Sequence, residues 1–444
     1  MTRRHCARAV ALLLLAAPLS CTQTLQAQAA DTVNLDALQQ AAQRTDRRAA
    51  QLDVIARQAA LRLRNIRSEL RPSLSATATV QYLSDVPSIG TVQPRGASIP
   101  SPANDQYDSY LSVRQALFDP TRARRAAVEE AQQADASARV ATTVWQQRLL
   151  VNEAFFAVLL RDAQRRTLDA VITDLEARRV LAVRRVSGGT ALPSEALLVD
   201  AELVRRKQGR GTLMAERAAA LEVLEALTDV RMPATVVLQV RGIAVSAAGA
   251  DSVATLTDAS MLRARPEFVQ FERSRALVEA RRAALMAQDR PRVSLVARTG
   301  YGRPGLNQLG RRPDTYATAG VQVEWNLWSW RRTTHESQAQ VMQQEMLVSD
   351  EGAFAESLRR ALITERGRIT ALEQTLESDD TVVALRTRIL AETRLRHDEG
   401  EVTSADYISR LTEQLVAELD RDEHRVRLLE SRARYLTTLG REVR

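Results

Sequence analysis

Apolar positions along this chain follow two periods. Over residues 36–67 they recur at helical spacing, with Leu38, Ala41 and Ala42 followed by Leu52, Ile55, Ala59 and Leu63. Residues 121–186 hold neither proline nor glycine, and Val140, Val144, Leu149, Phe156, Leu160 and Leu168 keep that spacing. At 1.5 Å per residue such a helix would run for roughly 100 Å, a length that implies a coiled coil or a helical conduit. A second proline-free stretch over 332–396 predicts another. Shorter helices are expected to return after glycine-containing turns, over 193–228 and 403–439. Other segments have period two. Leu74, Ala76, Ala78, Val80 and Tyr82 alternate with Ser73, Ser75, Thr77, Thr79 and Gln81. Over 107–117, Leu111, Val113 and Leu117 oppose Asp108, Ser112 and Arg114; Val293, Leu295, Ala297 and Tyr301 face away from Ser294 and Arg298. Ala317, Ala319, Val321, Val323, Trp325 and Leu327 oppose Thr318, Gln322, Glu324 and Asn326.

These elements come in an internal repeat. Arg71-Pro72-Ser73-Leu74-Ser75 recurs as Arg290-Pro291-Arg292-Val293-Ser294, and Leu117-Phe118-Asp119 as Leu327-Trp328-Ser329. The stretch 184–195, centred on Gly189, recurs as 395–406, centred on Gly400. The expected organisation is a leader over 1–29, a first repeat over 30–245 and a second over 246–444. Each repeat reads helix, strand pair, very long helix, glycine turn, helix. The helices alone would also fit a soluble antiparallel coiled-coil rod or scaffold. The strands argue against it, because alternating segments of about 10 residues are the length and pattern of barrel strands that cross a bilayer. Tyr82, Tyr107, Tyr301, Tyr316, Trp325 and Trp328 near the strand ends are expected to form interfacial girdles.

The N-terminus sets the compartment. Arg3, Arg4 and Arg8 precede an apolar run over 9–19, and Ala27-Gln28-Ala29 offers small residues for cleavage, so a secretory signal peptide is expected. Both cysteines, Cys6 and Cys21, lie within it, which removes disulfides and thiolate chemistry from the mature chain. Cys21 would be a lipid-attachment site, but Pro18 stands where an aliphatic residue is usual. The formal charge is +8, and Lys207 is the only lysine. The arginines are interleaved with acids rather than blocked, as on solvated helix faces, so no nucleic-acid partner is expected.

Enzyme motifs are absent from the sequence. His5, His335, His397 and His424 have no paired ligands at metal spacing, and no nucleophile elbow or dinucleotide fingerprint appears. Ser187-Gly188-Gly189-Thr190 lacks the lysine and the preceding strand of a phosphate loop. No catalytic activity, metal or cofactor is expected.

Four strands cannot enclose a channel, and open sheet edges do not occur in lipid, so other chains must complete the barrel. The Arg-Pro-x-Leu/Val-Ser strand entry, the Leu-Phe/Trp strand exit, the twin glycine turns and the order of elements resemble the TolC-type outer-membrane efflux family across nearly the whole mature chain. The resemblance implies an α+β membrane protein. Three protomers would give four strands each to a twelve-stranded barrel in outer-membrane lipid. Their helices would continue as a periplasmic α-helical tunnel. It also implies partners: a periplasmic adaptor protein meeting the turns at Gly188, Gly189 and Gly400, and an inner-membrane transporter that supplies energy. The periplasmic gate of the family maps onto Glu195 and Asp406, each six residues past its glycine. The family's gate arginine corresponds to Val402 and a further acid to Ser409, so Arg184, Arg185, Arg394, Arg396 or Arg410 would have to tie the mouth. Glu195 and Asp406 also fit ordinary helix-start acids beside Pro193 and Thr403.

Overall fold

The computed structural model describes residues 32–86, 103–240, 265–306 and 311–441. The expected leader, Cys21 and the boundary between repeats at 245/246 lie outside the described residues. The elements, in chain order, are β1 Thr32–Asn34, α1 Leu35–Thr45, a 3-10 turn Arg47–Ala50, α2 Gln51–Ser68, β2 Ser73–Tyr82, β3 Asp105–Phe118, α3 Pro120–Ser187 and α4 Pro193–Thr228. They continue with β4 Val237–Gln239, α5 Pro266–Ala287, β5 Arg292–Arg303, β6 Asp314–Glu324, α6 Arg332–Glu399 and α7 Ser404–Thr438.

The long helices are α3 and α6, each of 68 residues. Asp119 caps α3 by accepting from the Thr121 amide, and Pro120 fills the first helical position, where no backbone donor is missed. Gly352 and Gly367 lie inside α6 without interrupting it. Along α3 pack α2 and α5 at one end and α4 towards the other; α6 packs against α5 and then α7. Arg62–Glu129 and Arg217–Asp162 are contacts to α2 near the start of α3 and to α4 in its middle, and Gln344–Glu279 and Arg432–Glu373 are the matching contacts of α6 to α5 and α7. Two shorter helices in succession therefore match one long helix in each half.

The helix expected over 36–67 is broken. Asp46 leaves the helical region, accepts from the Arg48 amide and guanidinium, and starts the 3-10 turn. This lets α1 turn into the widest core while α2 lies along α3. That core joins Leu35, Leu38 and Ala42 to Val151, Phe155 and Phe156 of α3, Leu221 and Leu224 of α4, and Ala433 of α7. Beside it β1 and β4 pair in parallel, with Val33 opposite Leu238.

The four long strands form one antiparallel sheet in the order β2-β3-β5-β6. Its register carries the alternating faces across every strand: Leu74, Val113, Ala297 and Ala319 stand in one row, and Ala76, Leu111, Thr299 and Ala317 in another. The apolar face is exposed, with Val80 85% and Val321 63% accessible. One expectation is corrected here. Tyr316 is not a girdle residue, because strict alternation places it on the polar face, opposite Gly300. Tyr107 and Tyr301 lie on the apolar face as expected, with ring centroids 6.1 Å apart. Trp325 and Trp328 follow the end of β6, and the Trp325 indole donates to the Asp289 carbonyl.

Candidate functional site

Both long helices end in the same reversal. The Thr190 amide donates to the Arg185 carbonyl at 2.9 Å, and the Glu401 amide to the Arg396 carbonyl at 2.8 Å. These bonds span five residues and close around Gly189 and Gly400, whose φ values are +72° and +82°. Gly188 differs from the shared expectation: its φ is −82°, so it needs no left-handed conformation. A Cβ at Gly189 or Gly400 would meet nothing within 4 Å, which leaves backbone strain as the whole obstacle to substitution. Valine at either position should therefore distort the reversal, read as faster amide exchange in the turn, whereas a Cβ at Gly188 would meet the Arg184 carbonyl at 3.3 Å and Gly188→Ala needs only a small local shift. Unchanged exchange in Gly400→Val would remove the need for a left-handed residue there.

Of the two nominated acids, Asp406 is exposed and engaged locally. It accepts from the Thr403 hydroxyl at 2.7 Å while its own amide donates to Thr403 Oγ1, forming a capping box at the start of α7. These bonds from Thr403 hold its carboxyl below the usual carboxylate range. Glu195, in the first turn of α4, reaches across to the other half of the chain and accepts from the Ser404 hydroxyl at 3.1 Å. Within one chain the two acids share no hydrogen bond, but both sit against the start of α7.

Ser404 leads into a buried polar cluster that sequence reading missed. Having given its proton to Glu195, the hydroxyl can accept from His397 Nε2 at 3.2 Å. The His397 ring is buried and stacks on Tyr407, with centroids 5.3 Å apart. The Tyr407 hydroxyl donates to Asp174, and burial pushes that phenol well above its ordinary pKa. Arg178, only 2% exposed, pairs with Asp398 and lies over the Tyr407 ring. Arg185 donates to the carbonyls of His397, at 2.8 Å, and of Asp398. Of the arginines nominated to tie the tip, Arg185 thus bridges the two halves. Arg394 lies 3.7 Å from Asp174, while Arg396 and Arg410 pair with nearby Glu401 and Glu413. A signal for this cluster does exist in the sequence. Val171, Leu175, Arg178 and Ala182 share one buried stripe of α3, so the arginine stands on an apolar face.

The cluster should respond to acid. His397 is faced by Arg178 and Arg185 from α3, Glu195 from α4, its neighbour Asp398 on α6, and Ser404 and Tyr407 from α7. Burial, then the Arg185 and Arg178 cations, lower its pKa, against the opposing pull of Asp398 and Glu195. A histidine depressed in the folded state favours folding at pH above its ordinary value, about 6.5, and that contribution is lost as pH falls through this value. Amide protection factors around residues 178–200 and 394–407, corrected for the intrinsic pH dependence of exchange, should fall on acidification, and the fall should shrink in His397→Gln. Identical pH profiles for both proteins would remove His397 as the cause.

No family model matches the sequence, and no curated relative does. The outer membrane protein VceC from Vibrio cholerae superposes with a TM-score of 0.65 at 14% identity, covering 92% of this chain and 97% of that one. The outer-membrane channel OprN matches at a TM-score of 0.62 and 17% identity, covering 91% of this chain and 89% of that one. This chain has the fold of the TolC-type outer-membrane channels. The MtrE outer membrane channel of Neisseria gonorrhoeae, in its open state, shares the TolC-type fold at a TM-score of 0.62 and 14% identity, over 92% of this chain and 89% of that one. Such alignment over nearly the whole of both chains takes in the sheet and the long helices together, so the TolC-type fold covers strands and tip alike.

Proposed function

We propose that this protein is the outer-membrane channel of a tripartite efflux or type I secretion system. In this reading it conducts substrates passively from an inner-membrane transporter and a periplasmic adaptor to the exterior. The observation that carries the proposal is the sheet. Among the described residues it has two unpaired edges, β2 and β6, and one continuous exposed apolar face. Unpaired backbone beside a wide apolar face suits a barrel closed by further copies in lipid. Three copies give twelve strands, polar face inward, with the helices continuing as a periplasmic tunnel. The fold shared with outer-membrane channels supports the same reading. Among the described residues no helix is long and apolar enough to cross a membrane, so membrane contact falls to the strands. A conduit of this kind is not an enzyme and uses no cofactor.

The tip is the gate and the docking end. Glu195 and Asp406 form two rings of three carboxylates at its mouth, and the turns at Gly188, Gly189 and Gly400 meet the adaptor. Fractionation tests the proposal against a soluble periplasmic scaffold: a detergent-dependent trimer in the outer membrane supports the channel, and a salt-extractable monomer overturns it. The gate has its own test. Glu195→Ala combined with Asp406→Ala should raise single-channel conductance modestly in planar bilayers, because Arg185 and Arg178 still tie the halves together. Unchanged conductance and selectivity would leave both residues as helix-start acids.

A further inference from the structure

The register of the sheet sorts the charges of its polar face. Arg292 and Glu324, at the end nearest the helices, are opposite each other and neutralise one another at 3.3 Å. Moving outward, Arg114 stands in a row with Ser73, Val296 and Gly320, and Arg298 in a row with Ser75, Ser112 and Thr318. Each of these rows holds one cation and no acid. The next row is Thr77, Tyr110, Gly300 and Tyr316. Beyond it, at the outer end, Asp108 and Asp314 share a row with Thr79 and Gly302. Positive charge therefore gathers in the middle of the face and negative charge at its outer rim.

Arg298 is a braced side chain. Its Nε donates to Thr318 Oγ1 at 3.2 Å, and its guanidinium carbon lies 5.8 and 5.7 Å from the ring centroids of Tyr110 and Tyr316. The Tyr316 hydroxyl in turn donates to Asp108 at 2.6 Å. Gly300 makes this possible: a Cβ there would come within 2.7 Å of Tyr110 Cβ and 2.9 Å of Tyr316 Cζ. Arg298, Tyr316 and Asp108 border an open recess of about 460 Å³.

On the channel reading given above, we propose that Arg298 is a charge-selecting residue of the lumen and that small anionic solutes are the class it favours. Three sheets closing one barrel bring three braced guanidinium groups around the water-filled path. Each is held away from the acidic rim by the row of tyrosines. A fixed ring of cations concentrates anions and repels cations at that depth. The braces matter because a free arginine would fold back against the wall or onto Asp108.

The test is the reversal potential of the purified trimer in planar bilayers across a potassium chloride gradient. Replacing Arg298 by Gln should lower the chloride-to-potassium permeability ratio about twofold, the effect of three charges at ~10 Å acting through screened water. Arg298→Lys keeps the charge and should keep most of the ratio. Asp108→Asn, which retains an acceptor for Tyr316, should raise it. If channels form and Arg298→Gln leaves the ratio unchanged, or Lys behaves as Gln does, the selecting role is overturned. If the unaltered protein forms no channels, it is the channel reading that fails. Should Arg298→Gln not assemble, the opposite shift in Asp108→Asn decides: an unchanged ratio there refutes a charge-sorted lumen.

Discussion

Arginine introduced at Val113 or Leu295 is expected to block assembly, while arginine at Thr77 or Gln322 leaves it intact. Val113 shares its row with Leu74, Ala297 and Ala319, and Leu295 stands opposite Val321, so both side chains project from the apolar face. In a barrel that face meets hydrocarbon, where an arginine near mid-depth costs about 2–4 kcal/mol per chain, repeated in each protomer. Thr77 and Gln322 lie on the opposite face, which meets water inside the barrel. The measurement is the yield of detergent-resistant trimer in outer-membrane fractions for the four variants. Equal losses on both faces would mean that the faces do not separate lipid from lumen.

The buried cluster at the tip should break asymmetrically. Asp398→Ala strands Arg178, whose side chain is 2% exposed and has Asp174 only at 4.0 Å as an alternative acceptor. An uncompensated buried charge of this kind costs about 3–5 kcal/mol, so local opening of the tip should accelerate by about 10²–10⁴ in native-state hydrogen exchange. Arg178→Met leaves Asp398 behind, but that carboxylate is 43% exposed and water can take over its solvation. Its cost should be nearer 1–2 kcal/mol, the loss of one charge-assisted hydrogen bond. Comparable exchange rates in the two variants would show that the pair is solvated in the assembled protein.

Much of this fold was legible because its signals are local. Period-two alternation gives the faces of the four strands, and the register joins them up to an irregularity at the end of β3, where Phe118 and not Leu117 stands opposite Val293. Pro120 and Pro193 mark helix starts, and Gly189 and Gly400 sit at the two reversals where a positive φ is required. Nearness to a strand end suggests a girdle role for Tyr316, but parity alone decides the face and puts it on the polar side. The break at Asp46 escaped because neither glycine nor proline announces it. The device is a side chain bonding back to the Arg48 amide, and acids do this in turns as readily as they ride on helices. The tip cluster is legible only at Arg178, which stands on an apolar stripe of α3, because its partners are remote in sequence. Asp174 meets Tyr407, and Arg178 meets Asp398, across more than 200 residues of sequence. Only the packing of α3 against α7 and the end of α6 brings them together. Glu195 and Asp406 were found by position, whereas Ser404, which links Glu195 to His397, carries no motif of its own.

Closure of the barrel between copies is tested most directly by cysteine cross-linking. Cys6 and Cys21 are the only cysteines, and both precede the described chain, so new thiols on the sheet would stand alone there. One cysteine at Ser75 on edge strand β2 would be combined in turn with Ala317→Cys, Thr318→Cys, Gly320→Cys or Gln322→Cys on edge strand β6. These edges are separated by two strands within one sheet, so they cannot cross-link within a chain. Mild oxidation of outer membranes should give a covalent trimer for at least one pair, with dimer as the partial product and neither species from the single-cysteine parents. Monomer alone from every pair, in protein that still fractionates with the outer membrane, would contradict a barrel closed by β2 of one protomer against β6 of the next.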